Sequence, residues 1–553
     1  MIWLHRLIVC GAAALSLGLS LGLSPAASGA EPGPVVDAPA GVAQGRTEGA
    51  LHVFKGLPYA AAPVGPARWK PPAPLPRWSG VRDATRFGPA CFQPKPQPGN
   101  IYAGAPLPMS EDCLSLNVWA PAVAHGAPVM VWIHGGALVS GSSREAMYDG
   151  AKLASRGVVV VSINYRLGVL GYLAHPGLSA ESPLGVSGNY GLLDQIEALR
   201  WVKRNIGAFG GDPSNVTIAG ESAGGLSVMY LMAAPAARGL FAKAIAESAY
   251  MISTPELKQA RFGAPAAEDS GLKLAAKLHA PDIAALRAIE PGALVSAAAG
   301  GGFAPFGAVD GQVLPAQLVD VFDNGQQAPV PILAGFNSGE IRSLRMLAPP
   351  APATGGAYEK LIRERYGDLA DDFLKLYPST NVNESLLATT RDALYGWTAE
   401  RLVRKQAALG LPSFLYVFDH GVPAADAVGL HGFHGSELPY VFGTLDRTPP
   451  LWPKAPPTRD EARLSDVMVD YWTSFVRSGQ PTAAKAPDWP AFSPSEAFMA
   501  FQDGPRVSAH LLPGMYALHE AVVCRRRAAG DQAWNWNVGI VSPPLPGRTP
   551  RCP

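Results

Sequence analysis

The chain alternates between short apolar runs and longer stretches in which apolar residues recur every three or four positions. "VMVWIHGGA" (129–137), "GVVVVSINY" (157–165), "NVTIAG" (215–220) and "VPILAGFNSGE" (330–340) are apolar runs that end in turn-forming residues. Short runs of this kind, bounded by Gly, Asn or Ser, predict buried strands. Helical patterns lie between them. In "GLLDQIEALRWVKRNI" (191–206), Leu192, Ile196, Leu199 and Val202 fall at spacings of three and four, which predicts an amphipathic helix. Buried strands alternating with such helices predict an α/β fold with a mostly parallel sheet. The Pro-rich stretches 63–76 and 542–550 read as surface excursions rather than linkers, because apolar patterning resumes after the first. No internal repeat is evident.

Composition narrows the function classes. Hydrophobic residues make up 48% of the 553 positions and charged residues 16%, which supports a large core and argues against global disorder. Lys and Arg number 45 against 44 acidic residues, and no basic run exceeds Arg525-Arg526-Arg527. Neither a nucleic-acid partner nor a membrane surface is indicated.

The first thirty residues stand apart. A short basic start, an apolar stretch and small residues ending in Ser28-Gly29-Ala30 predict a secretory signal cleaved after Ala30. An uncleaved anchor is the alternative, since the apolar stretch is about long enough to span a bilayer. Cleavage would remove Cys10 and leave Cys91, Cys113, Cys524 and Cys552 in an exported, secreted or periplasmic chain. An even count there suggests disulfides, and sequence-local pairing gives Cys91–Cys113 and Cys524–Cys552, with free buried thiols as the alternative.

The candidate chemistry centres on "GESAGG" (220–225), a serine among small residues directly after an apolar run. G-x-S-x-G arises by chance, and it counts as a strained strand-to-helix turn only in that structural context. A serine hydroxyl also needs a base and a group to hold that base. Glu340 follows a predicted strand end, and "HGFHGSELPYVFG" (431–443) offers His431 and His434. An ordinary solvated glutamate, a surface loop, or a metal site shared by the two histidines are the competing readings, although no third ligand is evident nearby. The glycines of "WIHGGALVSGSS" (132–143) follow a strand end, where backbone N–H groups can approach an oxyanion or simply form a turn.

Several motifs together resemble the type B carboxylesterases, the family of bacterial para-nitrobenzyl-type esterases, animal carboxylesterases and cholinesterases. "FGGDPSNVTIAGESAGG" (209–225) looks like its active-site serine signature. "SEDCLSLNVWAP" (110–121) resembles its second signature, with Ser115 where an aromatic residue or Thr is usual. "FKGLPYAAAPVGPARWKPP" (54–72), "GNYGLLDQIEALRWVKRNI" (188–206) and "HGSELPYVFG" (434–443) match in the family order, over about residues 35–520. The resemblance implies an α/β-hydrolase fold in a single domain over residues 31–553, after the signal at 1–30. It implies hydrolysis of carboxylic esters, with Ser222 as nucleophile, Glu340 as acid and His434 rather than His431 as base. The oxyanion donors implied are the N–H groups of Gly136, Ala137 and Ala223, with Ala137 adding a methyl where a third glycine is frequent. Glu437 takes a supporting place behind His434, bridged through Ser248. Cys91–Cys113 matches the family's N-terminal disulfide, whereas Cys524–Cys552 rests on pairing logic alone.

The resemblance also implies no cofactor and no metal, a small-molecule ester as partner, and no stable membrane insertion once the signal is removed. In cholinesterases a tryptophan in the first disulfide loop faces the quaternary ammonium. The loop here has Phe92 and Tyr102 but no Trp, which argues against choline esters. The alternatives are a catalytically silent, neuroligin-like adhesion module, and an amidase or transacylase using the same residues. Retention of the whole triad argues against silence.

Overall fold

The computed structural model describes residues 33–535 and 538–552, so the signal expected at 1–30 lies outside the described residues. An 11-stranded sheet runs through the molecule. Its strands in chain order are β1 (Arg46–Glu48), β2 (Leu51–Pro58), β3 (Ser115–Pro121), β4 (Ala127–Ile133), β5 (Val159–Ile163), β6 (Gly211–Glu221), β7 (Lys243–Glu247), β8 (Ile332–Asn337), β9 (Ser413–Phe418), β10 (Ala497–Phe501) and β11 (Pro505–Ala509). The spatial order is β11-β10-β9-β8-β7-β6-β4-β5-β3-β2-β1. Neighbours from β5 across to β10 are parallel. Antiparallel strands close both edges. The predicted runs at 129–137, 157–165, 215–220 and 330–340 supply β4, β5, β6 and β8, the centre of the parallel region.

Period-two alternation explains how the sheet is buried on both faces. In β4, Val129, Val131 and Ile133 join one core, while Met130 and Trp132 join the other. The helices that matter for the site are α1 (Tyr190–Asn205), α2 (Ala223–Ala233), α3 (Glu340–Ser343), α4 (Trp397–Ala408), α5 (Leu438–Phe442) and α6 (Arg459–Ser478). In α1 the four apolar positions at spacings of three and four are fully buried, as the periodicity predicts. Helix α2 is buried on every side, as an all-apolar helix must be. Among the described residues no helix is long and apolar enough to cross a membrane.

Two disulfides are present, Cys91–Cys113 and Cys524–Cys552, closing sequence separations of 22 and 28. Loops of this size each contribute roughly 3 kcal/mol on the chain-entropy account. Most of the first Pro-rich stretch is exposed, but Arg68 and Trp69 within it are buried. Arg68 makes two 2.7 Å contacts to Glu111, and the Trp69 indole donates to Val169 O at 2.9 Å. The excursion is therefore pinned by two large side chains that its proline content does not reveal.

A buried ion pair ties α1 to the turn after β5. Arg166 meets both carboxylate oxygens of Asp194 at 2.7 Å, and Asp194 also accepts the Arg166 backbone N–H at 3.0 Å. Removing one partner strands a charge in a low-dielectric interior. Arg166→Met is expected to lower unfolding free energy by about 3–5 kcal/mol, with most of that recovered in Arg166→Met/Asp194→Leu. Urea unfolding of the three proteins checks this. Equal stability of the single and double variants would contradict it.

Candidate active site

Ser222 sits between β6 and α2 with φ 58° and ψ −120°, a conformation that side chains rarely adopt. Such strain is of order 1–3 kcal/mol and survives only where the surroundings enforce it. Here close packing of backbone does so. A Cβ on Gly224 would lie 2.0 Å from Ile133 O, and one on Gly220 would lie 2.6 Å from the Gly224 carbonyl. The Ser222 N–H is held by Glu247 O at 3.0 Å, which fastens the turn to β7. The small residues of "GESAGG" are thus a steric requirement of the crossing between β4, β6 and α2.

The loop after β4 approaches the same point. Gly136, Ala137 and Leu138 all have positive φ, at 101°, 55° and 59°. A Cβ on Gly136 would fall 2.1 Å from Ser140 O, so only glycine fits there. Val139 and Ser140 both donate to Gly136 O, which closes the loop into a tight turn. Among the described residues no protein acceptor takes the N–H groups of Gly136, Ala137 or Ala223. The loop lies against the serine: a Cβ on Gly135 would be 3.2 Å from Ser222 Cβ.

Glu340 opens α3 directly after β8 and is fully buried. Its Oε1 accepts the Asn337 N–H at 2.8 Å, and its Oε2 is hydrogen-bonded to His434 Nδ1. The two loops that carry this pair are zipped together by a Gly339–Phe433 bridge and by Gly339 N–H to Gly432 O at 2.8 Å. His434 Nε2 lies 3.1 Å from Glu221 Oε1, off the hydrogen-bond direction. No hydrogen bond joins it to Ser222 Oγ among the described residues. The Tyr395 ring packs on the imidazole at 5.3 Å. His431, by contrast, faces Asp426 at 2.8 Å and Asp419 at 3.3 Å on a partly exposed surface.

Ser248 departs from the sequence expectation. It does not bridge Glu437 to the histidine. Its Oγ is buried without a partner among the described residues, and the Glu437 carboxyl is engaged by Asn337 Nδ2, which also donates to Phe433 O at 2.8 Å. Asn337 ends β8 three residues before Glu340, and its amide joins the Glu437 carboxyl to the loop that carries His434.

Sequence reasoning also missed Glu221 and Glu247. Glu221 occupies the variable position of the serine motif, where nothing in the pattern marks it out. Glu247 ends β7, buried, with Oε1 accepting the Trp472 indole N–H at 2.7 Å. With Glu437 they form a buried carboxyl cluster behind the imidazole. Burial lifts Glu221 to about 7, against the pull of His434 and with help from Glu340. Burial lifts Glu247 to about 8, partly offset by its bond to Trp472. Glu437 is pushed well above the carboxylate range by burial and then by its acidic neighbours. Burial opposes a charged imidazole, but Glu221 and Glu340 outweigh it and raise His434 to about 9.

These groups couple stability to pH. Glu221 and Glu247 keep their protons to about 7 and 8 when folded against 4.5 in the ordinary state, and His434 to about 9 against 6.5. The folded chain binds more protons over these windows, so their contribution falls as pH rises through them. Glu247→Gln keeps an oxygen for Trp472 but has no proton to lose. It is expected to flatten the decline in unfolding free energy between pH 6 and 8 by roughly 1 kcal/mol per pH unit. Urea titrations at each pH measure the slope; an unchanged slope would remove Glu247 from this account.

Comparison with known proteins agrees with this architecture. The model of the carboxylesterase family matches residues 32–517. The fumonisin B1 esterase of Sphingopyxis macrogoltabida is 37% identical over 521 residues, covering 90% of this chain and 93% of that protein. The para-nitrobenzyl esterase of Bacillus subtilis (strain 168) is 37% identical over 468 residues, covering 82% and 91%. Among solved structures, a thermophilic PNB esterase superposes with a TM-score of 0.75 at 34% identity, covering 88% of this chain and 99% of that one. The chain belongs to the carboxylesterase family and is a carboxylic ester hydrolase of α/β-hydrolase fold.

Proposed function

We propose that this protein hydrolyses small-molecule carboxylic esters through an acyl-enzyme on Ser222, with His434 as base and Glu340 as the acid that orients it. The observation that carries this reading is a buried imidazole hydrogen-bonded to Glu340 through Nδ1, with Nε2 3.1 Å from Glu221, the residue that precedes a serine held in a strained turn. Once the imidazolium has given up one proton, the carboxylate fixes the remaining one on Nδ1 and leaves Nε2 free to accept. Hydrogen bonds of this kind often tighten only once substrate is bound.

In the first half-reaction, Nε2 takes the Ser222 proton while Oγ forms a bond to the ester carbonyl carbon. The carbonyl oxygen becomes an oxyanion among the N–H groups of Gly136, Ala137 and Ala223, which have no other acceptor among the described residues. The bond to the alkoxy oxygen then breaks as Nε2 returns the proton to it. In the second half-reaction, water gives a proton to Nε2 and attacks the acyl carbon. Collapse returns that proton to Ser222 and releases the carboxylic acid. Glu221, beside Nε2, stabilises the imidazolium that forms in both halves.

Two of the relatives, a fumonisin B1 esterase and a para-nitrobenzyl esterase, are named for different esters. A screen of esters varied separately in acyl and alcohol size is therefore the informative experiment on specificity. We also read residues 1–30 as an export signal and 31–553 as one domain acting outside the cytoplasm, a reading supported by the two disulfides. Intact mass of the exported protein should give a chain starting at Glu31. A retained leader would overturn it.

Ser222→Ala is expected to remove hydrolysis of a short-chain para-nitrophenyl ester by 10⁴-fold or more, on the order seen when a triad member is lost, and to abolish fluorophosphonate labelling. His434→Ala should be comparably inactive while His431→Ala retains most activity. Glu340→Gln should lower kcat by about 10²- to 10⁴-fold. It should also move the acid limb of the rate profile to lower pH, because one carboxylate that raises the imidazole is gone. Steady-state kinetics of these variants beside Glu437→Gln test the assignment. Greater damage from Glu437→Gln would show the acid to be misplaced.

A further inference from the structure

We propose that Tyr102 is a positioning residue for the acid–base pair, acting through its phenolic hydroxyl; this rests on the reading of Glu340 and His434 given above. The Tyr102 oxygen lies 3.0 Å from His434 O and 2.7 Å from Ser343 Oγ. A backbone carbonyl can only accept, so the phenol proton goes to His434 O, and the Ser343 hydroxyl can give its own proton to the phenol oxygen. Ser343 ends α3, the short helix that Glu340 opens. One oxygen therefore joins the backbone carrying the base to the helix carrying the acid.

The ring is held as firmly as the hydroxyl. It packs edge-on to Trp452 at 5.6 Å and to His434 at 6.5 Å. Burial lifts the phenol well above its ordinary value, a shift that the Ser343 bond opposes and that Glu221, Glu340 and Glu437 reinforce. Tyr102 thus stays a donor over any pH at which the enzyme works. It comes from the loop closed by Cys91–Cys113, whose two half-cystines are both buried. A local turn sets its backbone, with Tyr102 N–H on Asn100 Oδ1 at 2.9 Å and Ala103 N–H on Asn100 O at 3.1 Å. The disulfide fixes the ends of an otherwise Pro-rich loop, and Tyr102 conveys that fixation to the base. Small displacements of a catalytic group cost rate steeply.

The test uses purified full-length protein. Tyr102→Phe keeps the ring and its packing and removes only the hydroxyl. For a short-chain para-nitrophenyl ester, kcat is expected to fall about 3- to 10-fold, the span of one hydrogen bond. KM should stay within about two-fold, as for loss of an interaction that aids only the reacting state. The thermal midpoint should move by less than about 2 °C. Ser343→Ala should lose less, and Tyr102→Phe/Ser343→Ala should be no worse than Tyr102→Phe, because both act through one oxygen. Wild-type kcat in Tyr102→Phe, with Ser222→Ala inactive, would overturn the proposal and leave the triad standing. A raised KM at unchanged kcat would make Tyr102 a substrate contact instead. Rate loss accompanied by a large drop in thermal midpoint would make its role structural. Full activity in Ser222→Ala would overturn the triad reading itself.

Discussion

Everything at the site hangs on how closely the backbone of α2 approaches the end of β4. Gly224 leaves no room for a side chain against Ile133 O, and Gly220 leaves none against Gly224. That contact forces the chain to reverse within one residue, and Ser222 takes the strained φ that results. The same contact brings the glycine loop after β4 alongside the serine. A relaxed turn would separate the nucleophile from the donors implied for the oxyanion. Strain at one residue is thus offset by burial of the whole of α2 and by the parallel pairing of β6 with β4 and β7.

Once the turn is formed, the remaining difficulty is charge. Five ionisable side chains, Glu221, Glu247, Glu340, Glu437 and His434, are buried within one neighbourhood. Isolated buried charges are prohibitively costly, and such groups respond by shifting their proton affinity or by pairing. Both responses are visible here. Glu340 pairs with the imidazole and accepts a backbone N–H. Glu247 and Glu437 are driven toward the neutral form, where one carboxyl accepts from Trp472 and the other from Asn337. Glu221 sits between these extremes at about 7. The result is a graded environment in which the histidine faces anionic oxygen on one side and largely protonated acid behind it. That arrangement favours a charged imidazole without leaving several uncompensated charges in the core.

Much of this was legible in the sequence, for identifiable reasons. The central strands are continuous apolar runs because the parallel sheet is covered on both faces, so β4, β5, β6 and β8 announce themselves. The serine turn is legible because sterics restrict it to small residues. Glu340 and His434 were placed through the order and spacing of family motifs, and the structure brings those two together. What escaped notice depends on contacts distant in sequence. The edge strand β11 is short and largely exposed, and β10 beside it is only five residues long. Glu221 is hidden in the free position of its own motif, and Glu247 carries no local signal at all. In place of the expected Ser248 bridge, Asn337, unremarkable in sequence, bonds the Glu437 carboxyl.

Tyr102 shows the same limit from another direction. In the sequence it is one of two aromatic residues in a Pro-rich loop, and its weight there was negative, as the absence of a tryptophan. Its hydroxyl meets partners 241 and 332 residues away. No periodicity or motif could connect positions so far apart. The disulfide gives the connection its physical sense. A loop of this composition has neither helix nor long strand to hold it, so its tip is placed against His434 by fixing its ends. Cys91–Cys113 does this, and the family resemblance that predicted the bond gave no reason for it. In this fold the reason is geometric. The bond holds in place a side chain that touches both the backbone of His434 and the helix that Glu340 opens.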